Sequence, residues 1–170
     1  MRRSALFAVI LAVCALAFAA NPVPAAAQNV WVSVGALLGE ESTNQAFLTG
    51  EVSLPGPWSL GLEYQGKEVA VGARWGGNQG FYGQLGMSEN GTRVEVGVWG
   101  STRLSSAVEA RGWFGASSYL GSESSKLEFT GRAEAYVPFA NSLFALVGVD
   151  GIFVDGGHKF LGRIGIGTYF

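Results

Sequence analysis

The sequence predicts an all-β protein: ten antiparallel strands in up-and-down order, closing into a barrel behind an N-terminal leader. Three observations lead there. Apolar and polar residues alternate along segment after segment, the period of a strand whose successive side chains face opposite sides of a sheet. Turn signals rich in Gly, Pro, Asn and Asp separate these segments at short intervals. The 170-residue chain also holds 26 glycines and 48% hydrophobic residues but only 14% charged ones. Such a chain owns a large dry core or turns an apolar surface outward.

The leader comes first. Met1-Arg2-Arg3 is a positive start, Ser4 to Ala19 is nearly continuous apolar sequence, Asn21 and Pro22 break it, and Ala25-Ala26-Ala27 is a small-residue cleavage site. This predicts a secretory signal peptide over 1–27 and a mature domain over 28–170. The apolar run falls short of the roughly 20 residues a spanning helix needs, which weighs against an uncleaved anchor. Cys14 follows Val13, too bulky for a lipoprotein signal, and the mature part has no cysteine. Disulfides and thiolate metal sites are therefore excluded. Of 11 basic residues two lie in the leader, so the 13 acidic residues dominate the mature part and no basic patch points to nucleic acid. Neither a metal-ligand cluster nor a phosphate-binding glycine pattern calls for a cofactor.

The predicted strands follow in order. The first is Asn29–Leu38, with Glu40–Asn44 its polar loop. The second, Ala46–Leu54, ends at Pro55-Gly56-Pro57. The third, Trp58–Tyr64, turns at Gln65-Gly66-Lys67. The fourth, Glu68–Trp75, turns at Gly76-Gly77-Asn78. The fifth, Gly80–Met87, leads into Glu89-Asn90-Gly91-Thr92, whose Asn-Gly pair suits a type I′ hairpin. The sixth is Arg93–Trp99, with Gly100–Ser105 as a connection. The seventh is Ser106–Gly115, followed by a loop over Tyr119–Ser125. The eighth, Lys126–Val137, turns at Pro138-Phe139-Ala140-Asn141. The ninth, Leu143–Val154, turns at Asp155-Gly156-Gly157. The tenth, Lys159–Phe170, ends the chain on an aromatic residue. An eight-strand wall remains the alternative, should one weak hairpin among the first four stand outside it.

Sorting the charges by parity puts those of each strand on one face: Glu51, Glu63, Glu68, Arg74, Arg93, Glu95, Glu109, Arg111, Glu128, Arg132, Glu134, Asp150, Lys159 and Arg163. The opposite faces are Val, Leu, Ile, Ala, Gly and aromatic. A soluble sandwich or lipocalin-like barrel shows the same alternation with the apolar face inside. Three features favour the inverse. Outward aromatics gather near strand ends: Trp58, Trp75, Phe81 and Phe170 at the end where the chain terminates, Tyr64, Phe114, Phe153 and Phe160 at the other, as in two interfacial girdles. The charged face mixes both signs with Gly and with Trp31, Trp113 and Tyr136, a set that can pair across a narrow interior. The strand number is even and the segments are long enough to cross a bilayer when tilted. The prediction is thus an antiparallel up-and-down transmembrane β-barrel, which leaves no backbone edge in lipid.

The signal peptide, the alternating strands and the closing Gly165-Ile166-Gly167-Thr168-Tyr169-Phe170 together resemble the small Gram-negative outer-membrane β-barrels of the OmpA-domain and OmpX-like class. The resemblance implies residence in the outer membrane among its lipids. It also implies a C-terminal signal for the barrel-assembly machinery, carried here by Ile164, Ile166, Thr168 and Phe170, with Thr168 the weak match. The outside loops are shorter than is common in that class, which argues against an adhesive role.

For function, the lumen charges give two main readings. One is a monomeric envelope barrel with a structural role, its interior filled by an ion-pair network. The other is a narrow porin-like channel for ions or small solutes. A lipid-modifying enzyme is the third and weakest. His158 is the only histidine, and Ser117, Ser118 and Ser124 are candidate nucleophiles, but no motif fixes their geometry. The inward glycines Gly61, Gly72, Gly97 and Gly165 make space in the lumen or seat Trp31, Trp99 and Trp113.

Overall fold

The computed structural model describes residues 30–39, 45–89, 91–120, 127–154 and 156–170. The predicted leader 1–27, the loop Glu40–Asn44, Asn90, the Tyr119–Ser125 loop from residue 121 on with its Ser124, Lys126 and Asp155 lie outside the described residues. The described residues form ten strands: β1 Val30–Leu38, β2 Gln45–Ser53, β3 Trp58–Gln65, β4 Glu68–Gly76, β5 Gln79–Ser88, β6 Gly91–Ser105, β7 Val108–Leu120, β8 Glu128–Pro138, β9 Leu143–Val154 and β10 Gly157–Tyr169. Every strand pairs antiparallel with its chain neighbours, and β1 pairs with β10 to close the wall. The eight-strand alternative therefore falls.

Closure has a definite stagger. A row of paired residues leaves β1 at Val30 and passes Val52, Leu60, Ala73, Gly83, Val96, Ala116, Phe129 and Phe153 to reach His158. On the seam, however, Leu38 faces Gly162. The row thus slips by about 12 residues in one circuit, which tilts the strands by about 35–45° to the axis. At that tilt strands of this length cross a bilayer's hydrocarbon.

Turn chemistry sets the hairpins. The β3–β4 link is Gly66-Lys67, with Gly66 at φ +59. A positive φ at the first central residue is the type II′ pattern, which suits the twist of the flanking strands.

Two expected boundaries are wrong. Gly100–Ser105 is not a connection but the end of β6. Ser101, Thr102 and Arg103 still pair with Arg111, Ala110 and Glu109, and a bulge lies between Arg103 and Ser105. The run of small polar residues reads as a loop, yet a partner strand satisfies its backbone. β7 starts at Val108 because Ser106 and Ala107 make the turn, and pairing with β6 carries it on through Ser117, Ser118 and Tyr119 to Leu120, which faces Thr92.

The glycines seat rings other than those expected. A Cβ on Gly97 would lie 2.7 Å from the Tyr82 ring and 2.6 Å from the Cα of Gly115, and one on Gly165 would lie 2.9 Å from Phe47. No tryptophan ring closes on Gly61, Gly72, Gly97 or Gly165. The glycines let Tyr82 and Phe47 lie flat on the wall. Gly97→Ala is therefore expected to destabilise the barrel by about 1–3 kcal/mol. Gly61→Ala, whose Cβ meets nothing nearer than 3.8 Å, is expected to be neutral. Denaturant unfolding of the refolded variants measures both, and equal costs would count against this packing.

Candidate functional site

The candidate site is the lumen. On each strand the residues of one parity point inward, and these carry the predicted charges. The outer wall is the inverse: Val96 and Ile166 are each 60% exposed, and Trp58, Trp75, Phe81, Phe114, Phe153, Phe160, Ile164 and Phe170 are exposed as well. No ordinary water-soluble core is built this way round.

Three tiers of charge run down the interior. In the first, furthest from the chain termini, Arg93 donates to Glu68 at 2.9 and 2.6 Å and also to Glu95. Glu95 accepts further bonds from the Tyr82 hydroxyl at 2.5 Å and from Thr130 at 3.0 Å. Glu128 lines the same mouth, half-buried.

The middle tier ties opposite walls together. Arg132 on β8 grips Glu63 on β3 with two bonds, 2.9 and 2.7 Å, and reaches its cross-strand neighbour Asp150 at 2.8 Å. Arg163 on β10 meets Asp150 at 2.9 Å, Glu134 at 2.9 Å and Glu63 at 3.2 Å, while its guanidinium lies 4.1 Å over the Phe47 ring. Tyr136 donates to Glu134. Two guanidinium groups thus serve three carboxylates, which desolvation requires of charges held this deep.

The third tier lies nearest the termini. Arg74 pairs with Glu51 and sits 4.3 Å over Trp99 and 5.9 Å from Trp113. Arg111 donates to Glu109 at 2.7 Å and covers the rings of Tyr136 and Trp31 at 4.6 and 5.3 Å. Beside this tier an aromatic cluster fills the β1, β8, β9 and β10 side of the lumen. Tyr136 and Phe144 are 5.3 Å apart, Trp31 and Tyr136 5.8 Å, and Phe144 and Tyr169 4.7 Å.

Several placements differ from the sequence reading. Lys159 has the inward parity but stands exposed at the rim, away from the three tiers. Phe114 falls at the middle of β7 rather than near an end, stacked on Phe129 at 6.3 Å. Trp75 and Phe81 stack at 6.4 Å near the termini, Trp58 opens β3 and Phe170 follows β10, while Tyr64, Phe153 and Phe160 stand near the opposite end. Of the C-terminal set, Ile164, Ile166 and Phe170 face out and Thr168 is half-buried. His158 packs against Phe160 on the outside, 5.4 Å between ring centres, whereas Ser117 is buried on the inside opposite Glu95. The structure does not bring these two together as nucleophile and base. Among the described residues no group of three or more His, Cys, Asp or Glu is placed to hold a metal ion.

Sequence reasoning missed the apolar occupants of the lumen: Phe47, Phe144, Leu146 and Tyr82, with the rim cation Arg103. Tyr82 shares its parity with Gln84, a signal that was readable. Phe144 and Leu146 share theirs with Asp150, but an apolar residue on a charged face looks like noise in a single strand.

No family model matches the chain, and no curated protein sequence matches it. Among solved structures it is similar to the Yersinia pestis outer membrane protein Ail in a phospholipid bilayer nanodisc, with a TM-score of 0.49 and 14% identity over 84% of this chain and 99% of that one. It is similar to the translocator domain of the autotransporter NalP from Neisseria meningitidis, with a TM-score of 0.49 and 12% identity over 99% of this chain and 98% of that one. It is also similar to the N-terminal β-barrel domain of Pseudomonas aeruginosa OprF, with a TM-score of 0.44 and 13% identity over 82% of this chain and 97% of that one. The closed ten-strand wall, apolar outside and ionised inside, is the architecture of a small outer-membrane β-barrel.

Proposed function

We propose that the chain is an integral outer-membrane barrel with a structural role in the envelope, its lumen shut by ion pairs and aromatic side chains rather than held open. One observation carries the reading: the Arg163 side chain is 0% exposed at the centre while valine, leucine, isoleucine and phenylalanine cover the exterior. Lipid is the solvent that rewards this distribution, since it accepts the apolar wall and forbids an open sheet edge. The leader over 1–27 directs export, and the mature chain inserts as a monomer. Ile164, Ile166, Thr168 and Phe170 on the last strand present the apolar alternation that the assembly machinery reads.

The test is a refolding experiment. Protein unfolded in denaturant and diluted into detergent or lipid vesicles is expected to fold and to migrate differently on a gel with and without boiling. Dilution into buffer alone is expected to precipitate it. In a planar bilayer the folded wild type is expected to show no resolvable openings. A monodisperse folded species in detergent-free buffer overturns the membrane reading, and a steady open conductance overturns the shut lumen.

A further inference from the structure

One row of cross-strand neighbours winds along the inside of the barrel. It starts at Glu51 on β2 and passes Gly61, Gly72 and Gln84 on the next three strands. It continues through Glu95 to Ser117 and ends at Glu128 on β8. The stagger of the wall carries this row from the tier nearest the termini to the mouth at the other end. A cavity of about 250 Å³ opens at that mouth and follows the row, with Glu51, Gly61, Gly72, Gln84, Glu95 and Glu128 all in its lining. That is the volume share of about eight liquid waters.

Two glycines make the row a groove. At Gly61 a Cβ would meet nothing nearer than 3.8 Å, so open space stands over the backbone. At Gly72 a Cβ would lie 2.9 Å from the Gly83 carbonyl oxygen, so no side chain is accommodated. The result is a stretch of bare wall between Glu51 and Gln84.

Charge says what the groove takes. Among the described residues seven carboxylates line the cavity against three arginines, and Arg163 beside Glu63 adds a fourth. Three negative charges are left over in a partly desolvated interior, where charge without a partner is costly. Glu128 has no ion-pair partner among the described residues. Ser117, between Glu95 and Glu128 in the row, is 1% exposed, and its hydroxyl has no hydrogen-bond partner there either. A buried hydroxyl left unpaired is uncommon in a native interior. It has lone pairs to offer, as have the carboxylates on either side, and an ammonium group brings donors alone.

Spacing separates an organic cation from a metal ion. Neighbouring strands stand about 4.8 Å apart, so Glu95 and Glu128 are about 10 Å apart along the wall and Glu51 and Glu95 about 19 Å. Among the described residues no group of three such side chains is placed round one metal ion. A chain with ammonium groups a few methylenes apart can meet carboxylates strung out in this way, and its methylenes can cross the bare glycines.

We propose that this groove binds a linear di- or polyamine that enters from the mouth. Its ammonium groups sit on Glu128, Ser117 and Glu95, and its chain runs over Gly72 and Gly61 towards Glu51. The inference goes beyond the structural role proposed above and leaves the floor of the lumen shut.

Spermidine is the probe, titrated calorimetrically at fixed ionic strength into protein refolded in non-ionic detergent and checked for the gel shift on boiling. Wild type is expected to bind it saturably, at least about tenfold more tightly than singly charged butylamine or magnesium. Glu128→Gln is expected to weaken binding by about tenfold and Ser117→Ala by about threefold. Gly61→Leu fills the groove without removing a charge and is expected to abolish binding. Glu89→Gln takes the same charge from an exposed turn and is expected to leave binding unchanged. Magnesium bound as tightly as spermidine, or equal losses at Glu89 and Glu128, means diffuse attraction to a negative barrel and overturns the site. Undiminished binding by Gly61→Leu overturns the groove, and folded wild type without saturable binding overturns the proposal while the membrane reading stands. A wild type that folds only in detergent-free buffer overturns the membrane reading, and the same titration made there still decides the site.

Discussion

Arg163→Leu is expected to cost the barrel about 3–5 kcal/mol, the range for removing one partner of a buried ion pair. The size follows from what is left behind. Leucine fills part of the space above Phe47 but gives up the cation–π contact that the guanidinium makes with that ring at 4.1 Å. It leaves Asp150, Glu134 and Glu63 with one fewer cation between them, and only Arg132 remains to serve all three. Urea unfolding in lipid vesicles, followed by the fluorescence of the lumen tryptophans Trp31, Trp99 and Trp113, measures the loss. The sharper measurement is compensation. Adding Asp150→Asn to Arg163→Leu removes one of the stranded charges, and the double variant is expected to be more stable than the single one. Residues sharing a network are non-additive in this way. A single-variant cost below about 1 kcal/mol would place the tier in a medium as forgiving as a surface pair, and the ion-pair filling would then not be what holds the interior.

The wall was legible because a barrel in lipid obeys local rules. Period-two alternation sets which residues face the bilayer, and glycine-bearing turns set where the chain reverses, so β9 is predicted at Leu143–Val154 and found there. Local rules fail where a strand's identity comes from its partner. Ser101–Ser105 and Ser117–Tyr119 have the composition of loops, and only pairing between β6 and β7 makes them strands. Nothing in either segment alone carries that information.

The site was legible by face but not by partner. Parity put Glu63, Arg132 and Arg163 on the inside. It could not say that Glu63 meets residues 69 and 100 positions away, because that distance is set by barrel diameter and stagger. Nor could it show that half the floor is aromatic. Trp31, Tyr136, Phe144 and Tyr169 come from four strands and form a cluster only once β1 closes on β10. Phe114 falls mid-strand because β7 runs on to Leu120, past the Gly115 end that the composition predicts.

Val96→Arg is expected to cost about 2–4 kcal/mol in a bilayer, as for arginine on the lipid face near the midplane, and Leu104→Arg only about 0–1 kcal/mol. The two sites share a strand and face outward, and both are open, Val96 at 60% and Leu104 at 65% exposure. Exposure therefore predicts equal effects, and in a water-soluble barrel both would fall within about 0.5 kcal/mol of zero. Depth is what separates them. Val96 pairs with Gly83 and Ala116 well inside the wall, whereas Leu104 stands at the bulge where β6 ends. An arginine at Leu104 reaches headgroups and water, and one at Val96 has to snorkel past several residues of apolar wall. Denaturant unfolding of the two variants in vesicles gives the difference directly. Equal and small costs would mean that water, not hydrocarbon, bathes the outside of β6. A cost at Val96 alone, shrinking as the substitution is moved along the strand through Val98 and Thr102 towards Leu104, is the profile that a bilayer imposes and bulk solvent does not.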